Sequence, residues 1–390
     1  MKKPRILLTY IESGMGHIMS MSAIAEGLKQ KYADKFELIE SYIMDDSGNK
    51  NTQAFEKFLC GCTKETNKHK SFGMGVFIFL EIMGKQHFMR FIHRTVFKKY
   101  TDATIEAMRS YNPDVIISTH YFITFAAIEL KKRYMPNLTV ITYNPDNNVH
   151  VWWDNRSDLM INNNDEACNE AIRKRNFDYS KVRKVFFTAR QEVANANGTK
   201  EEYRLKYNIP QDKFTVMIAD GAYASGKAQK VCKLLLKSNL PITIIFLAGK
   251  NKTAYNYFVN KANNLKNKDI TLIPLEFTKE AYEYYGASDI FITKAGPNAV
   301  LDSLFMGTPV LIDYYAHPIE KSTAHLFTHE LKCGIEVYKL NKIPGKIKEM
   351  MEDPSILKEY KKNIKKNVNK KNNGSLQIAD IIYNEIISKR

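Results

Sequence analysis

Cysteine is scarce in this chain, and its five residues stand apart: Cys60, Cys62, Cys168, Cys232 and Cys333. The number is odd, the one close pair is Cys60-Gly61-Cys62, and no zinc-type spacing occurs. That argues against a disulfide framework or a structural zinc site and predicts a reduced, cytoplasmic setting. Long hydrophobic runs are missing too. The longest, GVFIFLEIMG at 75–84, is broken by Glu81 and falls well short of the roughly 20 residues a spanning helix needs. The apolar run after the basic start stops at Glu12, too short for a signal sequence with its roughly 7–15 apolar residues and small-residue cleavage site. The expectation is a protein that does not cross a membrane but is soluble or lies on one. There is no Walker loop, no DxD, no His/carboxylate cluster at metal spacing, no internal repeat and no coiled coil, so neither a metal nor another cofactor is predicted. Tryptophan occurs twice, as the neighbours Trp152 and Trp153.

What the chain does have is enough length for two domains and enough apolar residues, 44% of 390, to bury two cores. Its formal net charge is +16, which points to an anionic partner: nucleic acid, anionic lipid or a phosphorylated substrate. Strand-like runs alternate with helix-like segments. RILLTY (5–10), FELIESY (36–42), PDVIISTHY (113–121), LTVITYN (138–144) and DLMINN (158–163) make a first set, with helices near 20–32 and at 122–133. After a linker around 177–192, FTVMIAD (214–220), ITIIFLAG (242–249), ITLIPLEF (270–277), DIFITKAG (289–296) and PVLIDYY (309–315) make a second. Helices are predicted after the first four of these, and PVLIDYY closes the set. The alternation predicts α/β architecture with doubly wound parallel sheets, whose ligands bind at the carboxyl ends of the strands. The predicted divisions are 1–176, 177–345 and a helical segment 346–390.

Two segments break the pattern. Residues 72–100 mix large apolar residues, Phe77 and Phe79 among them, with Lys85, Arg90, Arg94, Lys98 and Lys99. They read as one or two basic amphipathic helices, either an ordinary core helix with a solvated edge or an interfacial membrane contact. Residues 358–374, KEYKKNIKKNVNKKNNG, are strongly basic. They read as a solvated helix face or as an attraction to anionic headgroups.

Candidate chemistry lies at strand ends. In ESGMGHIM, Gly14 and Gly16 allow a sharp turn and close approach of a ligand, and His17 follows at a helix N-terminus. The positive end of a helix disfavours imidazolium, which suits a general base. After the fourth strand, NPDNNVHVWWDN sets Asp146 four residues before His150, with Trp152 and Trp153 just after. That loop suits an acceptor with a polar end and an apolar body, although Asp146 could merely form an Asx turn and the tryptophans could be core. In the second half, ADGAYASGKAQK at 219–230 offers backbone N–H groups, a helix N-terminus and Lys227 to phosphate. AGPN opens another helix, and Asp302 inside it could accept both hydroxyls of a ribose.

GMGH, NPDVIISTHYF (112–122), the Asp146–His150–Trp153 loop, AGKN (248–251) and SDIFITKAGP (288–297) occur in this order. Together they resemble the monogalactosyl- and processive glucosyl-diacylglycerol synthases of glycosyltransferase family 28, over nearly the whole chain. The resemblance implies a glycosyltransferase-B fold, two Rossmann-like domains with a cleft between them, whose C-terminal helix crosses back to the first domain. It implies an inverting transfer, without a metal, from a UDP-sugar to diacylglycerol, by a protein peripherally associated with the cell membrane. Other lipid or small-molecule acceptors, or a non-catalytic relative that binds nucleotide sugars, are the alternatives. Given that resemblance, an anionic bilayer accounts for the charge and nucleic acid is not expected.

His17, Asp146 and His150 carry over as catalytic candidates. The expected donor residues are Gly221, Ser225, Lys250, Asn251, Phe277, Lys294, Gly296, Pro297, Asn298, Asp302 and Glu320. Gly14, Gly16, Trp152, Trp153, Phe77, Phe79, Arg90 and Arg94 are expected at the acceptor or membrane. The chain departs from the family's pattern in the donor half. DGAYASG replaces a GGGxG loop, Asp302 a glutamate, Ile319 a glutamine and Ala299 a threonine, and FTARQEV (187–193) replaces TGIPV. Glucose and galactose therefore both stay open as the sugar.

Overall fold

The computed structural model describes residues 3–11, 15–68, 75, 78–79, 81, 85–221, 224 and 226–390, with backbone alone at 15–16 and 62–68. The chain forms two compact units. The first comprises the residues up to Gln191, Ala316–Ile319 and Asn372–Arg390; the second comprises Glu192–Tyr315 and Glu320–Lys371.

The first unit is a six-stranded sheet in the order β2-β1-β3-β4-β5-β6, and every pairing is parallel. Its strands are β1 (Arg5–Thr9), β2 (Glu37–Ser41), β3 (Val115–Ser118), β4 (Thr139–Tyr143), β5 (Leu159–Asn162) and β6 (Val182–Lys184). Alternate residues feed two cores. Ile6, Leu8, Val115 and Ile117 enter one, while Leu7 and Ile116 enter the other. Helices cover both faces, which is why these strands read as unbroken apolar runs.

The helix Met15–Tyr32 lays Met21, Ile24, Ala25 and Leu28 onto the first core, the spacing of one helical face. Against it pack Ile378, Ala379 and Ile382 from the last helical stretch. The approach is close: a Cβ on Gly27 would come within 2.6 Å of the Ser375 carbonyl oxygen. Polar contacts pin the same stretch. Lys31 pairs with Asp380 at 2.6 Å, Arg183 reaches both oxygens of Glu385, and Asn373 exchanges two hydrogen bonds with the backbone of Ala189.

The second unit is also a six-stranded parallel sheet, in the order β12-β11-β10-β7-β8-β9. Its strands are β7 (Phe214–Ala219), β8 (Ile242–Gly249), β9 (Thr271–Glu276), β10 (Ile290–Lys294), β11 (Val310–Tyr314) and β12 (Gly334–Glu336). β8 is buried along its whole length. Phe246 from it meets Phe258 of the helix Lys252–Asn263 at 4.1 Å.

Several boundaries differ from those the sequence predicts. The first helix begins at Met15 rather than near 20, because Gly16 and His17 in its first turn read as loop in the sequence. The stretch 177–192 is not all linker: it contains β6, which extends the first sheet, so that unit runs past 176 to Gln191. β11 does not close the second set, since β12 pairs beyond it. The segment 346–390 is shared, with the helix Pro354–Asn367 in the second unit and the helix Gly374–Ile381 in the first. The basic run 358–374 lies largely on Pro354–Asn367, which buries Leu357 and Ile364 and turns Lys358, Lys361, Lys362, Lys365 and Lys366 outward.

Candidate active site

In an open parallel sheet, ligands gather where the strand order reverses, outside the carboxyl ends of the two strands that flank the reversal. In the first unit that place lies between β1 and β3; in the second it lies between β7 and β10. The loops leaving these four strands bring in His17, Gly221 and Gly296, while His150 follows β4 and Asn251 follows β8.

His17 is the third residue of the helix that follows β1. Its Nδ1 lies 2.8 Å from the carbonyl oxygen of Thr119, just past β3. A carbonyl only accepts, so Nδ1 carries the proton and Nε2 is left with a free lone pair. Burial pushes the pKa of His17 down to about 4, against the opposing hydrogen bond to Thr119. The ring is thus neutral, but through burial rather than through the helix N-terminus that the sequence suggests.

His120 lies beside it, with ring centroids 5.0 Å apart and the rings edge to face. It is 2% exposed and caps the helix Tyr121–Arg133, its Nδ1 accepting from the Phe122 N–H at 3.2 Å. Its proton is therefore on Nε2. Burial, then the neighbouring His17, His150 and His93, hold its pKa well below the usual value.

His150 completes the group at 5% exposure. Its Nδ1 has no hydrogen-bond partner among the described residues. Burial, with Arg175, His17 and His317, lowers its pKa to about 3. Tyr121 bridges the rings, stacked on His120 and edge-on to both His150 and Trp152.

The loop that carries His150 is clamped from outside. Glu170 accepts from the Val149 N–H at 2.7 Å and Glu81 from the Val151 N–H at 3.1 Å. Arg175 ties the clamp together, donating to the Val149 carbonyl and pairing with Glu81. Gln86 donates to the carbonyls of Val151 and Trp153. The Asx turn here belongs to Asn144, whose Oδ1 accepts from the Asp146 N–H. Asp146 itself is half-buried.

Three residues expected at the acceptor or membrane hold this architecture. Trp153 is fully buried and stacks on His150. Arg90 pairs with Asp154 and hydrogen-bonds Asn155, and Arg94 pairs with the buried Glu129. Their charges belong to an internal network. Trp152 is half-buried against Tyr121, while Phe79 is exposed. Gly16 is placed by its backbone in the first helix. Gly14, Phe77 and Ser225 lie outside the described residues.

The second unit's reversal point is charged where the first is neutral. Gly221 follows β7 with φ +63°, in the left-handed region that favours glycine. Cβ atoms on Gly221 and Gly296 would stand 3.9 and 3.8 Å from the Cε of Lys294, so both turns close over this lysine. Lys294 pairs with the buried Glu320 at 2.7 Å. Burial works against its charge, but Glu320 and Asp220 outweigh it and raise its pKa. Lys227, at the start of the helix Gly226–Leu236, sits 3.1 Å above the centre of the Tyr314 ring. Burial and Asp220 raise the pKa of Asp313 to about 7, with Lys227 opposing.

Asn251 caps the next helix and also reaches the Ala224 carbonyl, and Lys250 stands over the half-exposed ring of Phe277. Pro297, Asn298 and Asp302 lie along the helix opened by Gly296. Among the described residues, no group of three or more His, Cys, Asp or Glu could hold a metal ion, and no helix is long and apolar enough to cross a membrane.

Sequence reasoning missed His120, Tyr121, His317, Asp220 and Asp313 as site residues. His120 and Tyr121 closed a predicted strand. Their position just past β3, opposite His17 across the reversal, shows only once β1 and β3 are paired.

The fold and these two loop systems define a glycosyltransferase of the glycosyltransferase-B fold. Acinetobacter baumannii MurG superposes over 100% of both chains with a TM-score of 0.61 at 11% identity. The UDP complex of TcCGT1 does so with a TM-score of 0.62 at 12% identity. Residues 17–185 match the monogalactosyldiacylglycerol (MGDG) synthase family, and residues 224–377 match the glycosyltransferase family 28 C-terminal domain. Together the two matches span most of the chain, which is a family 28 glycosyltransferase related to the monogalactosyldiacylglycerol synthases. Relatives include monogalactosyldiacylglycerol synthase 2 of Arabidopsis thaliana, 24% identical over 81% of this chain and 67% of that protein. The processive diacylglycerol beta-glucosyltransferase of Bacillus licheniformis is 24% identical over 73% of each chain. The alignment with the probable synthase 2 of Oryza sativa subsp. japonica spans 47% of that relative.

Proposed function

We propose that this protein is a membrane-associated, inverting glycosyltransferase that moves a hexose from UDP-glucose or UDP-galactose to diacylglycerol. The observation that carries the proposal is His17, whose proton is held on Nδ1 by Thr119 while Nε2 keeps a free lone pair. It lies in the stretch that matches the MGDG synthase family. Nε2 accepts the proton of the acceptor hydroxyl as that oxygen attacks the anomeric carbon from the face opposite the leaving group. A new carbon–oxygen bond forms, the bond from the anomeric carbon to the phosphate oxygen breaks, and UDP leaves with the electron pair. Lys294, Lys227 and the N–H groups opening the helix Gly226–Leu236 offset the charge on the departing diphosphate. The reaction uses no resident metal, and turnover is expected to persist in a chelator. Phe91 and Val96, 61% and 67% exposed beside Lys98 and Lys99, supply the contact with an anionic bilayer.

The test is incubation with vesicles of diacylglycerol and anionic lipid, offering UDP-glucose, UDP-galactose and UDP-N-acetylglucosamine separately. Glycolipid made from one of the two hexose donors is the expected outcome, and it names the sugar. UDP release without glycolipid would mean hydrolysis and a different acceptor. No release with any donor, from protein that still binds the vesicles, would overturn the proposal.

A further inference from the structure

We infer that His120 is a positioning residue for His17: it fixes the Thr119–His120 peptide whose carbonyl selects the tautomer of the base, and its ring walls off the other side. The inference rests on the general-base role given above to His17.

The peptide between Thr119 and His120 is held at both ends. Its N–H, from His120, donates to Ser118 Oγ at 3.1 Å. Its carbonyl, on Thr119, accepts from His17 Nδ1 at 2.8 Å. The same Ser118 hydroxyl donates to the His120 carbonyl at 2.9 Å, so both peptides flanking His120 are tied to one side chain. The His120 side chain then locks the turn to the following helix by accepting from the Phe122 N–H. That bond also settles its own tautomer. With Nδ1 engaged as an acceptor, His120 stays a neutral imidazole, 2% exposed, edge to face with His17. A residue that held the turn but lacked a ring would leave a gap through which water reaches His17.

The surroundings leave few other causes for the state of His17. Among the described residues, Tyr121 stacks on His120, His150 and His93 act on His120, and Arg175 and His317 act on His150. All the imidazoles with resolved shifts here are depressed chiefly by burial. Excluding water is therefore the lever, and His120 is the ring in contact with His17 that supplies it.

His120→Asn separates the two roles of this residue. Asparagine is a strong N-cap, so the helix Tyr121–Arg133 keeps its start while the ring is lost. Expected are a melting temperature within a few degrees of the parent, a UDP dissociation constant within about twofold, and a kcat lower by about 10- to 100-fold, the cost of a misplaced catalytic group. The acidic limb of the kcat profile should move up from near pH 4 toward the ordinary histidine range. A kcat within twofold, or a lower kcat with an unmoved acidic limb, would overturn the inference.

A second measurement does not depend on turnover. In the parent protein labelled with 15N-histidine, the ring nitrogen shifts should report protonated Nδ1 on His17 and protonated Nε2 on His120. Any other pair of tautomers would overturn the inference. If no donor and acceptor are turned over, the proposed function fails, while the same spectra of the parent and of His120→Asn still decide the inference. The Nδ1 proton of His17 should be lost or mixed in the variant, and an unchanged tautomer would overturn it.

Discussion

The two reversal points of this molecule use one backbone solution for opposite electrostatic ends. At the reversal between β1 and β3, His17 is held by a carbonyl and His120 by a backbone N–H. His150 joins them from the loop after β4, and all three have lowered pKa values and pack against rings. Between β7 and β10, two lysines and three carboxylates crowd around glycine turns. The first sets a neutral base among packed rings, where burial lowers its pKa. The second gathers charge, which an anionic ligand can then use. A strand reversal supplies the place, and the side chains decide which kind of chemistry occupies it.

The sharpest way to break this comparison is to remove the base. His17→Ala is expected to lower kcat by about 10²–10⁴-fold while leaving UDP affinity within twofold, measured by glycolipid formation and by titration calorimetry. The converse removes charge from the second site. Lys294→Met combined with Glu320→Gln takes out both partners and so avoids stranding a buried charge. UDP binding should weaken by roughly 10- to 100-fold, in line with about 1.5–3 kcal/mol for a hydrogen bond to a charged group, with little change in melting temperature.

A third change touches neither site. Gly27→Ala forces a methyl group against the Ser375 carbonyl. It should cost about 1–3 kcal/mol of stability, seen in urea unfolding, with kcat unchanged at low temperature.

The smallest effect sharpens the contrast through pH. In the unfolded chain these imidazoles take up a proton near pH 6.5, whereas in the folded chain His17 and His93 resist to about 4 and His150 to about 3. In that interval the unfolded state binds more protons. Stability from this cluster is therefore complete above about pH 6.5 and is lost as the pH falls through it. The melting temperature should decline from pH 6.5 to 4. His150→Phe should flatten part of the decline, and Lys294→Met combined with Glu320→Gln should leave its shape untouched.

Much of the fold was legible because its strands are buried on both faces. Runs such as ITIIFLAG and PDVIISTHY have no solvent-facing side to interrupt them. β6 and β12 were not legible, since VRK and GIE are three-residue edge strands whose burial is partial. His17 could be found because glycines flank it. His120 could not, because a polar residue closing a strand and a polar residue opening a helix look alike until the neighbouring strand is in place. Trp153, Arg90 and Arg94 misled for a related reason. A tryptophan or an arginine near an apolar segment fits a membrane surface as well as a buried network, and only the partners, His150, Asp154 and Glu129, decide.

The first unit is assembled from pieces of chain far apart in sequence, with Ile378, Ala379 and Ile382 completing the core that Ile6 and Leu8 begin. On the ribosome this imposes an order. The apolar face of the helix Met15–Tyr32 is made early and stays uncovered while the whole second unit is translated. That second unit, contiguous but for the four residues Ala316–Ile319, can gather its core before the earlier one is finished. The nascent chain thus carries a finished but incompletely covered sheet while roughly its second half is made. Its yield in the cell should depend on chaperones that shield that face, and truncation before residue 378 should send the product into aggregates rather than leave a smaller working domain.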